Sequence, residues 1–164
     1  MIELYDNFLP IHVFREIQKI FMSEDFSWSW GNTVVNDNHV ECDELDNHQF
    51  FHQVYHNLLT DSPYYKYTAP IVNALNSKAL IKIKANLSVR TKERIIHGYH
   101  KDFPFECKTA IFYINSNDGV TMFKNGKVID SVENRFIMFN SQLEHTGTTC
   151  TNQKRRIVIN FNYF

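Results

Sequence analysis

The chain has 164 residues, of which 43% are hydrophobic, 15% aromatic and 21% charged. This composition is typical of one folded globular domain, long enough to bury about 70% of the surface that its unfolded form exposes. The net charge of −1 excludes a general electrostatic attraction to nucleic acid or to an anionic membrane. The sequence shows no signal peptide and no run of about 20 apolar residues that could span a bilayer.

The three cysteines are widely spaced and match no zinc-ligand pattern. Their odd number favours free thiols in a reducing compartment over disulfides. We therefore expect a soluble, cytoplasmic protein.

The first half of the chain shows mainly helical patterns. Residues 2–8 are typical of a strand or an extended lead, and Pro10 then begins a helix at a position where its missing N–H is no loss. Apolar residues recur at helical spacing as far as Phe21. A second amphipathic helix is predicted over residues 47–60 and a short third helix over residues 70–76.

Three histidines, His48, His52 and His56, lie beside the apolar stripe of the second predicted helix. Their spacing of four residues would place them on adjacent turns, where they could share a metal ion. The other interpretation is an exposed polar face. The second interpretation is favoured, because short motif matches often arise without function.

From residue 80 onwards the period changes to two, which is typical of strands. Alternating and apolar runs predict strands over residues 81–89 and 110–114, and the Asn125-Gly126 pair predicts a hairpin between residues 120–123 and 127–132. Two more strands are predicted over residues 135–139 and 156–163.

Helices followed by six or more strands, without βαβ alternation, predict an α+β fold. A double-stranded β-helix, or jelly roll, with N-terminal helices packed on the sheet fits this order. We expect one domain over residues 1–164, with a helical lead over residues 1–78 and a β-helix core over residues 79–164.

The strongest chemical signal is the pair His100 and Asp102. Side chains two residues apart on a strand point to the same side, so the imidazole and the carboxylate can meet at one point. His145 can supply a third ligand if the fold brings its loop back. Two histidines and one carboxylate, with the remaining positions open, suit a non-haem Fe(II) oxygenase. His97 is expected near this site but not as a ligand.

Residues 80–164 resemble the Fe(II)- and 2-oxoglutarate-dependent dioxygenases, in particular the prolyl-4-hydroxylase-like branch and small proteins of that type from marine bacteriophages. The resemblance rests on the His-x-Asp pair and the distal histidine, on Tyr113-Ile114-Asn115, and on Gly119-Val120-Thr121-Met122-Phe123. Asp118 stands where the family has another glycine. The resemblance implies that iron is held by three residues, His100, Asp102 and His145, which are also the catalytic set.

In the family, a basic residue about ten positions past the distal histidine binds the far carboxylate of 2-oxoglutarate. Arg155 and Arg156 both have this spacing, but strand alternation allows only one of them to face into the barrel. The chain's last nine residues, which begin with Arg156, are similar to the endings of those phage proteins. This similarity selects Arg156. Its planar fork can bind a carboxylate through two hydrogen bonds.

If Arg156 points inward, three further residues of its strand do so too, while the alternate residues pack outside against the helices. The inward set would be Val158, Asn160 and Asn162, and the outward set Ile157, Ile159 and Phe161. Asn86 and Tyr113 lie where neighbouring strands could line the cosubstrate pocket. The same alternation could equally turn either of them away.

The resemblance implies a dioxygenase that consumes 2-oxoglutarate and O2, releases succinate and CO2 and hydroxylates a C–H bond, and it leaves ascorbate open as an accessory. The substrate is a peptide or a small molecule, with peptidyl proline as the expectation at family level. A nucleobase is disfavoured because the chain has no strong stripe of lysine and arginine. The oligomeric state is not readable from the sequence.

Two other functions remain open at this stage. A metal-binding jelly-roll module without redox activity would have no reason to keep an arginine such as Arg156 near the metal. A zinc hydrolase would need a general base, for which Glu144 is the nearest candidate in the sequence. Adjacent residues on an extended segment point apart, however, and this separates Glu144 from the predicted ligand His145.

Overall fold

The computed structural model describes residues 1–35 and 40–164. The strands and helices follow one another in this order: β1 Glu3–Tyr5, α1 Ile11–Phe21, β2 Ser29–Gly31, β3 Gln49–His56, α2 Tyr65–Leu75, β4 Leu80–Val89, β5 Lys108–Tyr113, β6 Val120–Phe123, β7 Val128–Asp130, β8 Phe136–Asn140, β9 His145–Gly147 and β10 Arg155–Tyr163. In the described part of the chain, no helix is long and apolar enough to cross a membrane.

The strands form two antiparallel sheets. The larger sheet has seven strands in the order β1-β8-β5-β10-β4-β3-β2, and the smaller sheet has three in the order β7-β6-β9. Residues of both sheets share one hydrophobic cluster, in which Phe123 and Ile129 of the smaller sheet meet Ile137 and Val158 of the larger. The sheets therefore pack face to face. This confirms the predicted α+β jelly roll.

Strand β10 lies at the centre of the larger sheet, between β5 and β4. Its outward residues Ile157, Ile159 and Phe161 are fully buried in the main core, together with Phe14 of α1 and Ile71 of α2. This burial fixes the facing of the whole strand, because alternate residues must then point to the other side. The opposite face of β10 lines the space between the two sheets.

The prediction of a helix over residues 47–60 is wrong. Residues Gln49–His56 form β3, which pairs with β2 and β4. A register shift between Gln53 and Tyr55 turns both Val54 and Tyr55 toward the main core, while Phe51 lies on the other face. Apolar residues on both faces of a bulged strand imitate helical spacing. The described residues among the first 78 thus contribute three strands as well as two α-helices.

The three histidines at spacings of four do not form a metal site in the described residues. Nδ1 of His48 lies 2.8 Å from the carbonyl oxygen of Leu45. Nδ1 of His52 lies 2.7 Å from the carbonyl of Ser27, and its Nε2 lies 2.8 Å from a serine hydroxyl in the β3–α2 loop. Because residues 49–56 form a strand, the helical geometry that would have brought the three rings together is lost.

Other predicted elements agree more closely with the structure. The helix after Pro10 is α1, the strand over residues 81–89 is β4, and the Asn125-Gly126 turn joins β6 to β7. The third predicted helix is longer than expected, because α2 starts at Tyr65 and continues through Pro70. The short strand β9 was not predicted.

Candidate functional site

The three predicted ligand side chains converge between the two sheets. Nε2 of His100 and Nε2 of His145 each lie 3.8 Å from Oδ1 of Asp102. All three ligand atoms lie within 4.8 Å of one another, and no other group of this kind occurs in residues 1–35 and 40–164. Two backbone hydrogen bonds of 3.0 Å join His100 to His145 and fix their spacing. His145 is the first residue of β9, and this strand places it beside His100.

The Asp102 carboxylate has a different environment at each of its oxygens. Oδ2 accepts hydrogen bonds of 2.8 Å from Oγ1 of Thr109 and from Nδ2 of Asn162. These donors belong to neighbouring strands, β5 and β10. Oδ1 faces the two histidines. One oxygen thus anchors the carboxylate to the larger sheet, and the other is left for a ligand.

The two histidines are also oriented through the ring nitrogen that faces away from Asp102. Nδ1 of His145 lies 3.0 Å from the carbonyl oxygen of Leu143, and Nδ1 of His100 lies 3.5 Å from that of Gly98. A carbonyl oxygen can only accept, so each contact favours the tautomer with the proton on Nδ1. The lone pair then lies on Nε2, as in metal sites with such a supporting contact.

The ionisation of the site also suits a metal ion. Burial, together with the nearby His145, lowers the pKa of His100 to about 4. Burial raises the pKa of Asp102, but His145 and the hydrogen bonds from Asn162 and Thr109 outweigh this effect, so that its pKa is below the usual value. At neutral pH, His100 is a neutral imidazole and Asp102 an anion, which are the forms that bind metals.

This donor set fits Fe(II). Two imidazoles and one carboxylate on one face match the donor set of non-haem iron oxygenases, which leaves further coordination positions to other ligands. The supporting contacts of Thr109, Asn162 and Leu143 hold the three side chains in place. The residues present can therefore hold the ion that the sequence predicts.

A cavity of about 380 Å³ opens from these side chains and extends between the sheets to Arg156. Arg156 is 5% exposed; its Nε donates to Oγ of Ser131 at 2.8 Å and its Nη2 to Oγ1 of Thr121 at 3.0 Å. No carboxylate in the described part of the chain forms an ion pair with it. Burial lowers its pKa. A buried cation without a counter-charge is costly, so an anionic ligand would stabilise it.

Two glycines, which have no side chain, make room for the side chain of Arg156. A Cβ atom at Gly119 would lie 2.6 Å from Cδ of Arg156, and one at Gly147 would lie 3.3 Å from its Nη1. The carboxylate of Asp118, the position that departs from the family pattern, accepts hydrogen bonds from the backbone and hydroxyl of Thr151. These bonds hold the turn that leads into Gly119.

The other predicted residues have distinct places. Asn86 lines the cavity and is paired with Val158 across the strands. Tyr113 is fully buried; its hydroxyl donates to Oγ1 of Thr121 at 2.8 Å, and its ring centre lies 5.8 Å from the Arg156 guanidinium. Its contact with the cavity is thus indirect, through the residues around the arginine.

Arg155 and Glu144 have partners outside the cavity. The guanidinium of Arg155 donates to the carbonyl oxygen of Met22, just after α1, whereas Val158 and Asn160 line the cavity with Arg156. Lys124 donates to the Glu144 carboxylate at 2.9 Å, in a pair on the surface hairpin. This pairing argues against Glu144 as the general base that a zinc hydrolase would need.

His97 is a further residue of the cavity. It is 2% exposed, it lines the cavity, and its Nε2 has no hydrogen-bond partner in the described residues. Burial lowers its pKa to about 4, so the ring is neutral. The sequence predicted that His97 would lie near the site without binding the metal, and its position agrees with the first part of that prediction.

Comparisons with known proteins support the architecture. No protein-family model and no curated protein matches the sequence. Among solved structures, the chain is similar to a prolyl hydroxylase from Trichoplax adhaerens in complex with a peptide fragment of the hypoxia inducible factor. The identity is 18%, the match covers 99% of this chain and 83% of the other, and the TM-score is 0.65.

Two further matches each cover 99% of this chain. One is an oxidoreductase of the 2OG-Fe(II) oxygenase family from Burkholderia pseudomallei, with 10% identity, 84% of its chain covered and a TM-score of 0.66. The other is the epimerase SnoN in complex with Fe3+, alpha ketoglutarate and nogalamycin RO, with 12% identity, 78% covered and a TM-score of 0.64. The chain has the 2-oxoglutarate oxygenase fold. None of these three structures is described as a bacteriophage protein, so the predicted phage likeness stays a prediction.

Proposed function

We propose that the chain is an Fe(II)- and 2-oxoglutarate-dependent dioxygenase in which His100, Asp102 and His145 hold the iron. The observation that carries this proposal is Arg156. It is a buried cation without a carboxylate partner in the described residues, and it lies in the cavity that opens from the three ligands. A metal site with a purely structural role has no use for such an arginine. A cosubstrate with a carboxylate at each end can reach both.

The guanidinium of Arg156 has N–H groups left to bind the far carboxylate of 2-oxoglutarate. A guanidinium has five N–H groups, and the contacts with Ser131 and Thr121 use two of them. Oγ1 of Thr121 accepts from both Arg156 and Tyr113, so its own proton is available to a ligand in the cavity. Arg156 and Thr121 together would bind the far carboxylate of 2-oxoglutarate.

Iron and 2-oxoglutarate, when bound, would supply oxidation by O2 with release of succinate and CO2. The chain's residues would orient the cosubstrate and exclude water from the cavity. Peptidyl proline is the substrate that we propose to test first, because the Trichoplax adhaerens structure holds a peptide. SnoN is described as an epimerase. The fold therefore does not fix the reaction, and hydroxylation, the use of ascorbate and a cytoplasmic location stay predictions.

The test is an anaerobic titration of the metal-free protein with Fe(II) and then with 2-oxoglutarate, in which the visible charge-transfer band of a chelated iron–keto-acid complex is recorded. We expect the band to appear in the natural sequence and to be lost in His145→Ala. Iron binding without the band would overturn the cosubstrate assignment and favour a metal-binding module without redox activity.

Arg156→Ala and Arg155→Ala form a matched pair for the same titration. The two charge-assisted hydrogen bonds of Arg156 are worth about 1.5–3 kcal/mol each, so its loss should weaken 2-oxoglutarate binding by at least about a hundredfold. Arg155→Ala should leave the binding unchanged, because the Arg155 guanidinium donates to Met22 outside the cavity. The reverse pattern would show that the cosubstrate does not bind at Arg156.

A further inference from the structure

The cavity wall has a strong excess of positive charge, although the whole chain has a net charge of only −1. Lys82, Lys84 and Lys101 line it in addition to Arg156, and Asp102 is the one acidic residue among the described residues that do so. The three lysines have no role in the function proposed above.

Lys82 and Lys84 lie at the metal end of the cavity. They are on β4, where Lys82 is paired with Asn162 and Lys84 with Asn160 of β10. Asn162 is one of the two residues that donate to the Asp102 carboxylate. Arg156 is paired with Ser88, four residues further along β4 than Lys84, which corresponds to about 13 Å at the rise of a strand. The lysine pair and Arg156 are therefore too far apart to bind the same anionic group.

Aromatic rings, not carboxylates, hold the two ammonium groups. Nζ of Lys82 lies 4.9 Å from the ring centre of Phe103, and Nζ of Lys84 lies 4.7 Å from that of Phe51. Neither lysine is within ion-pair distance of a carboxylate anywhere in residues 1–35 and 40–164. The rings restrict the two side chains and leave their ammonium groups without an ion-pair partner in the described residues, as a preformed anion site requires.

This charge persists when the site is filled as proposed above. The charges of Fe(II), Asp102, 2-oxoglutarate and Arg156 cancel, so the positive charge of the lysines remains next to the position of the substrate. We propose that the substrate carries a carboxylate or phosphate group that Lys82 and Lys84 bind. This inference rests on the proposed function. Asn160, the strand partner of Lys84, also lines the cavity, and its Oδ1 is buried without a hydrogen-bond partner in the described structure, so it offers a further polar contact.

The test measures binding to the anaerobic complex of the protein with Fe(II) and 2-oxoglutarate by calorimetry at low salt. The probes are capped tripeptides of the form acetyl-X-Pro-X-amide, in which X is Glu, Gln, phosphoserine or Ser. Glu and Gln differ in charge at nearly the same shape, and the two serine forms differ by the phosphate. We expect at least one acidic probe to bind about tenfold or more tightly than its neutral counterpart, the effect of one charge-assisted hydrogen bond.

Variants of Lys82 and Lys84 test whether these two residues cause the preference for acidic probes. The double variant Lys82→Gln/Lys84→Gln should bind acidic and neutral probes equally, whereas Lys82→Arg/Lys84→Arg should keep the preference because it keeps the charge. Lys127→Gln, in the exposed turn before β7, is the matched control and should behave as the natural sequence does. The visible iron–keto-acid band, recorded for every variant, shows that the site is intact.

Each outcome decides the inference. A larger advantage for the Glu probe assigns a carboxylate, and a larger advantage for the phosphoserine probe assigns a phosphate. Equal binding of acidic and neutral probes, no binding of the acidic probes, or a preference that survives in the double glutamine variant would overturn it. If the visible band forms and the preference is absent, this inference alone fails. If the band does not form, the proposed function fails.

Discussion

At the scale of single residues, the hydroxyl of Thr109 holds the carboxylate of Asp102, which we propose as an iron ligand. It donates to Oδ2 of Asp102, and Thr109→Val removes this bond while the side-chain shape is kept. Contacts of this kind are typically worth 10–100-fold in metal affinity. Because Asn162 still holds the same oxygen, we expect Fe(II) affinity to fall by about tenfold, measured anaerobically by competition with a chelator.

Thr68→Val is the control for this measurement. Thr68 is also fully buried, and its hydroxyl donates to the carbonyl of Tyr65 inside α2, which lies outside the proposed metal site. The substitution should leave Fe(II) affinity unchanged. Unchanged affinity in Thr109→Val would show that Asn162 alone is sufficient to orient Asp102, and an equal loss in both variants would point to a general effect on folding.

The sequence predicted some residues of the site and not others, and the reason is the distance in sequence to their partners. His100 and Asp102 are close neighbours on an extended segment. Strand alternation allows only one of Arg155 and Arg156 to face inward, and the resemblance to the family selects Arg156. Thr109 contacts Asp102 and Ser131 contacts Arg156, and in each case the partner belongs to a different segment of the chain, so their roles depend on how the segments pack. No pattern within either segment carries that information.

At the scale of secondary structure, β3 shows how local spacing can mislead. Apolar residues of this segment point to the core on one face and toward the lysines on the other, and the shift near Val54 interrupts their alternation. Asn57 and Leu58 then adopt positive φ values of 52° and 64°, which end the strand and which a helix does not contain. The tertiary partners of β3, and not its own propensity, decide its structure.

Strand β10 is the element on which both the core and the cavity depend. Ile159 is fully buried against the helices, whereas Val128 at the start of β7 is 50% exposed. We expect Ile159→Ala to lower the free energy of unfolding by about 2–5 kcal/mol, through lost burial and a residual cavity. Val128→Ala should change it by less than about 0.5 kcal/mol. Urea unfolding monitored by circular dichroism measures both, and similar losses would contradict the central place of β10.

At the scale of the whole molecule, the proposed metal site joins the two sheets. His145 belongs to β9 of the smaller sheet, while Asp102 is held by Thr109 and Asn162 of the larger sheet. An ion bound by both would link them directly. The unfolded chain does not hold these three side chains together, so the ion binds the folded state preferentially and should stabilise it.

This coupling predicts a thermal shift. Fe(II) at a hundred times its dissociation constant stabilises the fold by about 2.7 kcal/mol, which raises the Tm of a chain of this length by about 5–10 °C. Anaerobic calorimetric scans with and without Fe(II) measure the shift. His145→Ala removes the ligand from the smaller sheet and should abolish most of it, whereas His12→Ala, on the first turn of α1, should keep it. A full shift in His145→Ala would mean that iron binds without joining the sheets.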